Sequence, residues 1–171
     1  MKTVERGIEG ETSVLEYLGR TFTEGELENT TKRGSYGDIH YKYQGVEMLL
    51  EVKNKDSISL DDISKFKRDL LETKCEGGIF VSVKRGVKIP CHSIYDIEWI
   101  GEGVPVMYLT NFEVCESMVY TAVKTIHYYV KHCKKREDES EKKVEDLRKL
   151  LEIVKQPTMV LGDNRTANQW A

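Results

Sequence analysis

The chain of 171 residues is 39% apolar and 32% charged, a composition typical of one globular domain with a solvated surface and a small appendage. Its formal net charge of −3 excludes a chain that binds nucleic acid through overall positive charge, so such binding would need a local basic surface or a metal that covers acidic groups. No apolar run approaches the roughly 18 residues of a membrane span, and residues 1–11 contain no signal-peptide core, so we expect no membrane contact.

The cysteines indicate the compartment. Four are present, far apart and without a C-x-x-C pair: Cys75, Cys91, Cys115 and Cys133. A disulfide framework or a zinc ribbon would show closer, paired spacing. We therefore expect free thiols in an intracellular reducing compartment, the cytoplasm or the nucleus.

The first predicted element is a helix over residues 4–20, followed by a weak strand over 26–32. Gly7 and Gly10 have low helix propensity and weaken the first turns of this helix. Its apolar residues nevertheless recur on one helical face: Val4, Ile8, Val14, Leu15 and Leu18.

A β-hairpin is predicted over residues 37–54, turning at Gln44-Gly45, because Gly at the second loop position suits a type I′ turn. In this register the apolar pairs Tyr43–Val46, Tyr41–Met48 and Ile39–Leu50 share one face. On the other face Lys42 meets Glu47 and His40 meets Leu49. A slip of one residue would scramble both faces, so the pattern favours this register. It also places Asp38 directly opposite Glu51.

The next segment predicts a helix, a buried strand and a second strand pair. Ser59, with Asp62 three residues on, can cap a helix that runs to about Lys74. Its apolar face would contain Ile63, Phe66, Leu70 and Leu71. A short strand follows over residues 79–83, and two more are predicted over 94–100 and 104–110.

Residues 111–156 predict a helical extension, and residues 157–171 a polar tail. Thr110 and Glu113 fit a capping box. Apolar or small residues then recur at 119, 123, 126, 130 and 133 and resume in the same heptad register at 144, 147, 151 and 154. One interpretation is a helix that covers the domain's own core, and the other is a coiled-coil seam of a homodimer. The segment fits one helix of about 50 Å or two helices folded back.

Charged residues inside an apolar strand define the candidate site. Glu51 and Lys53 interrupt the apolar run that starts at Met48, and the hairpin sets Glu51 against Asp38. Facing like charges destabilise a sheet unless a cation joins them, and a hard divalent cation would take both carboxylates and the Val52 carbonyl as ligands. Lys53 would lie beside it, placed to orient or help deprotonate a water and to offset phosphate charge. The competing interpretation is a solvated face of an edge strand.

This arrangement resembles the PD-(D/E)xK nuclease superfamily, which has the restriction-endonuclease-like fold. The resemblance rests on GD at 37–38, on EVK at 51–53 and on the element order. GIEGE at 7–11 is similar to the G-x-x-G-E of Holliday-junction resolvases, and KRGSYGD, which ends at Asp38, resembles the family's approach to its first aspartate. Gly37 stands where the motif has proline. The resemblance covers about residues 4–90 and leaves 111–171 unexplained.

The resemblance implies an α/β fold with a mixed β-sheet flanked by helices over residues 1–110, and a Mg²⁺-dependent DNA endonuclease in which Mn²⁺ can substitute. Asp38 and Glu51 would bind the metal, Lys53 would be the catalytic lysine and Glu11 an auxiliary acid. Branched or structured DNA is a candidate substrate, and RNA stays open.

Contacts to the nucleic-acid backbone are predicted at basic and small polar residues near the site: Lys32, Arg33, Ser35, Lys65 and Arg68. Arg68 is favoured because it lies off the apolar face of its helix. The alternatives are a catalytically inactive nucleic-acid-binding or oligomerising module on the same fold, which the net negative charge favours, and a scaffold in which the C-terminal helices carry the function.

Overall fold

The computed structural model describes residues 2–29 and 39–155, which belong to two compact units, Met1–Cys133 and Lys134–Ala171. The first unit contains, in chain order, α1 (Lys2–Thr21), β1 (Glu26–Asn29), β2 (Ile39–Tyr43), β3 (Val46–Lys53), α2 (Leu60–Thr73), β4 (Gly77–Ser82), β5 (Tyr95–Ile100), β6 (Val104–Leu109) and α3 (Ser117–Tyr128). A π-helical segment, Tyr129–Lys134, follows α3, and α4 (Lys135–Lys155) lies in the second unit.

The six strands form one mixed sheet in the order β1-β2-β3-β4-β6-β5. The central pairs β3–β4 and β4–β6 are parallel, whereas β1–β2, β2–β3 and β5–β6 are antiparallel. Helix α2 connects the parallel strands β3 and β4, as a βαβ crossover requires. The predicted α/β architecture with a mixed sheet and flanking helices is therefore confirmed.

Both faces of the sheet are covered. On one face, Met48, Leu50 and Val52 of β3 join the core beneath α1 and α3. On the other, Leu49 joins the core that Phe66 of α2 anchors. Strands buried on both faces read as near-continuous apolar runs, which explains the sequences of β3 and β4.

The predicted hairpin is confirmed over its described length. Gln44 and Gly45 both have positive φ, 46° and 79°, as a type I′ turn requires. The observed pairs are those predicted: Tyr43–Val46, Lys42–Glu47, Tyr41–Met48, His40–Leu49 and Ile39–Leu50. The next predicted pair, Asp38–Glu51, includes a residue outside the described part of the chain.

Helix α2 begins with the predicted capping box. The Ser59 hydroxyl accepts a hydrogen bond from the Asp62 backbone N–H at 3.2 Å, and the Asp62 carboxylate accepts one from the Ser59 N–H at 2.8 Å. Ile63, Phe66 and Leu70 are buried as expected. Leu71 is instead 46% exposed, because it lies one position past the stripe that faces the sheet.

Asp62 gives the cap a pH dependence. Burial opposes its ionisation, but hydrogen bonds from Lys55, at 2.5 Å, and from Ser59 outweigh that cost and hold its pKa below the ordinary 3.8. A lowered carboxyl pKa stabilises the fold above pH 3.8, and this contribution is lost as the pH falls through the folded-state pKa.

Asp62→Asn should lower the free energy of unfolding by about 1 kcal/mol at pH 7, and this difference from wild type should shrink below pH 3.8. Urea unfolding at pH 7 and pH 3 measures it. Asp61→Asn, which removes an exposed charge from the same helix turn, is the control. An equal difference at both pH values would contradict this account of the cap.

The C-terminal prediction needs two corrections. Helix α3 begins at Ser117, and the capping box proposed at Thr110 and Glu113 does not form. The Thr110 hydroxyl donates to the Ile94 carbonyl at 3.3 Å, and the Glu113 carboxylate accepts from the Arg85 backbone N–H. Backbone groups of distant segments thus take the two side chains that the local cap would have used.

The first half of the predicted heptad packs on the sheet. Val119, Val123 and Ile126 are fully buried in the core of the first unit, so the predicted boundary at residue 110 falls inside that unit. In α4, Val144 and Leu147 are 46% and 59% exposed, and a homodimer through these helices stays a prediction. All four cysteines are free thiols. No helix in residues 2–29 and 39–155 is long and apolar enough to cross a membrane.

Candidate functional site

The two charged residues of β3 form a buried ion pair. Glu51 is only 2% exposed and lies on the α2 face of the sheet, the same face as Leu49. The side chain of Lys53, two residues on and 21% exposed, donates a hydrogen bond from Nζ to Glu51 Oε1. A carboxylate is rarely buried so completely without such a partner. The competing interpretation of a solvated edge strand is wrong, because β3 lies inside the sheet between β2 and β4.

The backbone of β3 directs the carbonyl of Val52 away from β4. The carbonyls of Glu47 and Lys53 accept from Glu76 N–H at 2.8 Å and from Val83 N–H at 2.9 Å, both on the β4 side. Backbone groups alternate in direction along a strand, so the Val52 carbonyl is directed toward the β2 side.

Helix α1 approaches the end of β3 at a glycine. A Cβ on Gly10 would lie 2.7 Å from Asn54 Cβ and 3.3 Å from Val83 Cγ2, so only glycine allows this distance. Asn54 Nδ2 also donates to the Arg6 carbonyl at 2.7 Å. Glu11, the half-buried residue after Gly10, is thereby placed on the part of α1 that docks at the end of β3. This close approach explains Gly10 of the GIEGE sequence. It does not explain Gly7, whose ideal Cβ position has no atom within 4 Å.

Basic residues at the end of β3 are paired with Asp56. Lys84 forms an ion pair with Asp56, and Arg6 Nη1 lies 3.6 Å from the same carboxylate. The hydrogen bond from Lys84 holds the pKa of Asp56 below its ordinary value. Cationic groups of α1 and of the segment after β4 thus meet just beyond Lys53.

The predicted nucleic-acid contacts are only partly described. Lys32, Arg33 and Ser35 lie outside the described residues. On α2, Lys65 is exposed, and the 58% exposed side chain of Arg68 donates to Asp69 Oδ1 from Nε at 3.2 Å and from Nη2 at 3.0 Å.

Asp69 is a buried residue of α2 that was not among the predicted site residues. It is fully buried, and its Oδ2 has no hydrogen-bond partner among the described residues. Asp69 is three residues after Phe66 and therefore on the same side of the helix, and this spacing is the signal that could have indicated a buried acid. Its carboxylate fixes the direction of the Arg68 guanidinium on the surface of α2.

The donor atoms described here suit a hard divalent cation. Glu51 offers carboxylate oxygens and Val52 a backbone carbonyl, the ligand types that Mg²⁺ prefers, and Lys53 balances their charge. Within residues 2–29 and 39–155, no group of three His, Cys, Asp or Glu side chains is gathered as a metal site. The predicted second carboxylate, Asp38, is outside those ranges.

The fold and the site define an α/β protein with a buried Glu–Lys pair on a central strand of a mixed sheet. Comparison of the chain with protein-family models, with characterised proteins and with solved structures finds no match.

Proposed function

We propose that this chain is a Mg²⁺-dependent DNA endonuclease of the restriction-endonuclease-like fold. The observation that carries the proposal is the Glu51–Lys53 pair, buried on β3 and separated by the Val52 carbonyl. The order α1, β1, β2, β3, α2, β4, with α2 crossing between parallel strands, supports it. A purely structural ion pair is a weaker explanation, because burying the Glu51 charge costs more than packing an apolar residue there.

We propose Asp38 as the second carboxylate ligand, because the observed β2–β3 register, extended by one pair, would set it opposite Glu51. Five consecutive pairs of β2 and β3 follow this register, ending at Ile39–Leu50. If the ladder continues by one pair, Asp38 stands opposite Glu51, with about 5 Å between the Cβ atoms. Asp38, Glu51 and the Val52 carbonyl would then hold Mg²⁺, with Mn²⁺ as a substitute.

Each residue has a separate task in phosphodiester hydrolysis. Bound Mg²⁺ supplies Lewis-acid stabilisation of phosphate charge and lowers the pKa of a water. Glu51 keeps Lys53 in a fixed position through their hydrogen bond. Lys53 can then orient the attacking water and neutralise charge that develops on the phosphate. Glu11, on the docked part of α1, would act as an auxiliary acid.

DNA is the substrate we propose, with branched or structured forms included. The similarity of GIEGE to the resolvase motif supports branched DNA, and the exposed Lys65 and the oriented Arg68 would contact backbone phosphates. Such contacts do not distinguish DNA from RNA, so the assay includes both.

The cleavage assay uses supercoiled DNA, a four-way junction and a structured RNA, with Mg²⁺, Mn²⁺ or EDTA. Wild type should cut DNA only with metal, and Glu51→Gln and Asp38→Asn should each lower the rate more than about a hundredfold because each removes a charged metal ligand. Asp61→Asn, an exposed acid on α2, is the control and should cut normally.

Two results would overturn the nuclease proposal. One is a wild type that is inert on every substrate. The other is equal cleavage by Glu51→Gln. Metal-independent binding of DNA without cleavage would instead support the second candidate, an inactive nucleic-acid-binding module, which the net charge of −3 favours.

A further inference from the structure

An aromatic surface lies on the side of the sheet opposite the Glu51–Lys53 pair. It is formed by the outer side of α3, the neighbouring residues of β5 and the π-helical segment, and it encloses a shallow groove of about 680 Å³. Three of its large rings are exposed: Trp99 by 51%, Tyr120 by 43% and Tyr128 by 62%. We call these three residues, with Lys124, His127 and His132, the aromatic face. Exposed clusters of large rings commonly mark binding surfaces.

The rings of the aromatic face are held from below. Tyr120 stacks on Phe22 with 5.3 Å between ring centroids, and Trp99 meets the edge of Tyr129 at 5.9 Å. Tyr128 lies 4.8 Å from the ring of His132. Packed rings with a solvated outer side are suited to flat ligands, because little side-chain freedom is lost when a ligand stacks on them.

Positive charge accompanies these rings. The chain carries no Asp or Glu from residue 117 to residue 136, although its net charge is −3. Lys124 Nζ lies 5.3 Å from the centroid of the Tyr43 ring and 3.2 Å from its hydroxyl, a position that raises the pKa of Lys124. Of the nearby acids, Glu116 pairs with Arg20, whereas Glu24 accepts from the neutral Gln44 amide at 3.2 Å and its charge also raises the pKa of Lys124.

We propose that the aromatic face binds single-stranded nucleic acid without sequence preference. Bases would stack on Trp99 and Tyr128, and Lys124 would contact a backbone phosphate. Aromatic platforms beside cationic side chains are the usual means of binding single strands, since every base has a π-face and every nucleotide a negative charge. A purely apolar partner would gain nothing from Lys124, which lies beside these rings.

The inference does not depend on the proposed metal site. The aromatic face and the Glu51–Lys53 pair are on opposite faces of the sheet, so binding is testable in EDTA where no cleavage occurs. Failure of cleavage and failure of strand binding are therefore separate results. If the protein both cleaves DNA and binds single strands, the aromatic face would hold an unpaired strand of the substrate on the enzyme.

Trp99 reports directly on stacking. The chain has two tryptophans, and Trp170→Phe in the full-length protein leaves Trp99 as the only one. Titration with a 20-nucleotide oligothymidylate in EDTA should quench its fluorescence, and anisotropy of a labelled strand should give the same affinity. Raising the salt should weaken binding, because phosphate contacts release counterions.

Two substitutions test whether Tyr128 and Lys124 contribute to strand binding. Tyr128→Ala and Lys124→Ala should each weaken binding at least about fivefold, since removing a stacking platform or a phosphate contact costs that much. Ile94→Ala is the matched control, because Ile94 is exposed by the same 62% as Tyr128 but lies outside the aromatic face. Lys88→Ala controls for loss of a surface charge. Unchanged thermal melting confirms that the variants fold.

Three results would overturn the proposal. The first is a titration that does not quench Trp99. The second is affinity that falls equally in the control variants. The third is a shift in sedimentation for Tyr128→Ala with unchanged strand affinity, which would make the aromatic face a contact between copies of the chain.

Discussion

Lys53→Met is expected to lower the free energy of unfolding by about 3 kcal/mol at pH 7 and to abolish metal-dependent cleavage. The stability loss arises because Glu51, 2% exposed, would lose the ammonium group that compensates it. Methionine preserves most of the volume of the lysine stem, so packing changes little. Urea unfolding and the cleavage assay measure the two effects on the same protein.

A second substitution separates stability from catalysis. Glu51→Gln in the Lys53→Met background removes the uncompensated charge and should restore stability to within about 1 kcal/mol of wild type, while cleavage stays absent. Lys55→Met is the matched control: its partner Asp62 is more exposed than Glu51, and the loss should be about 1 kcal/mol or less. If the double variant is no more stable than Lys53→Met, the pair is not coupled as the structure indicates.

Gly10→Ala is expected to destabilise the protein by about 1–3 kcal/mol, although alanine is the better helix former. The added Cβ would lie 2.7 Å from Asn54 Cβ, an atom fixed by the backbone just after β3, so α1 has to move away from the strand. Thermal and urea unfolding would show the loss. Because α1 also carries Glu11, cleavage should fall with it.

Gly7→Ala is the matched control on the same helix. No atom lies within 4 Å of the ideal Cβ position of Gly7, so alanine should add about 0.5–1 kcal/mol of stability there. Substitution of glycine by alanine should therefore lower the free energy of unfolding at position 10 and raise it at position 7. Stabilisation by both substitutions would mean that α1 does not dock on Asn54 as closely as described.

Elements defined by local rules were predictable from the sequence. The Gln44-Gly45 turn and the facing pairs fixed the β2–β3 register, and Ser59 with Asp62 fixed the start of α2. In both places the deciding groups lie within a few residues of one another, so backbone preference and side-chain pairing act before any tertiary contact.

Features that depend on distant partners were not predictable. The start of α3 is an example, since Glu113 pairs with the Arg85 backbone and Thr110 with Ile94. The heptad pattern of the C-terminal segment did not show whether its apolar residues pack in the core or in a dimer seam, because Val119 and Val123 fit both environments. Burial of Glu51 likewise depends on α2 covering that face of the sheet, which alternation within β3 does not reveal.

The arrangement of the strands also has a consequence for the order of folding. The turn of the β2–β3 hairpin is two residues long, whereas β3 can pair with β4 only after α2 has crossed between them. Short-range pairings close quickly, and parallel pairings wait for a longer loop. Strand β3 belongs to both the short-range hairpin and the longer-range crossover, so the strand that carries Glu51 and Lys53 joins a local pairing to the centre of the sheet.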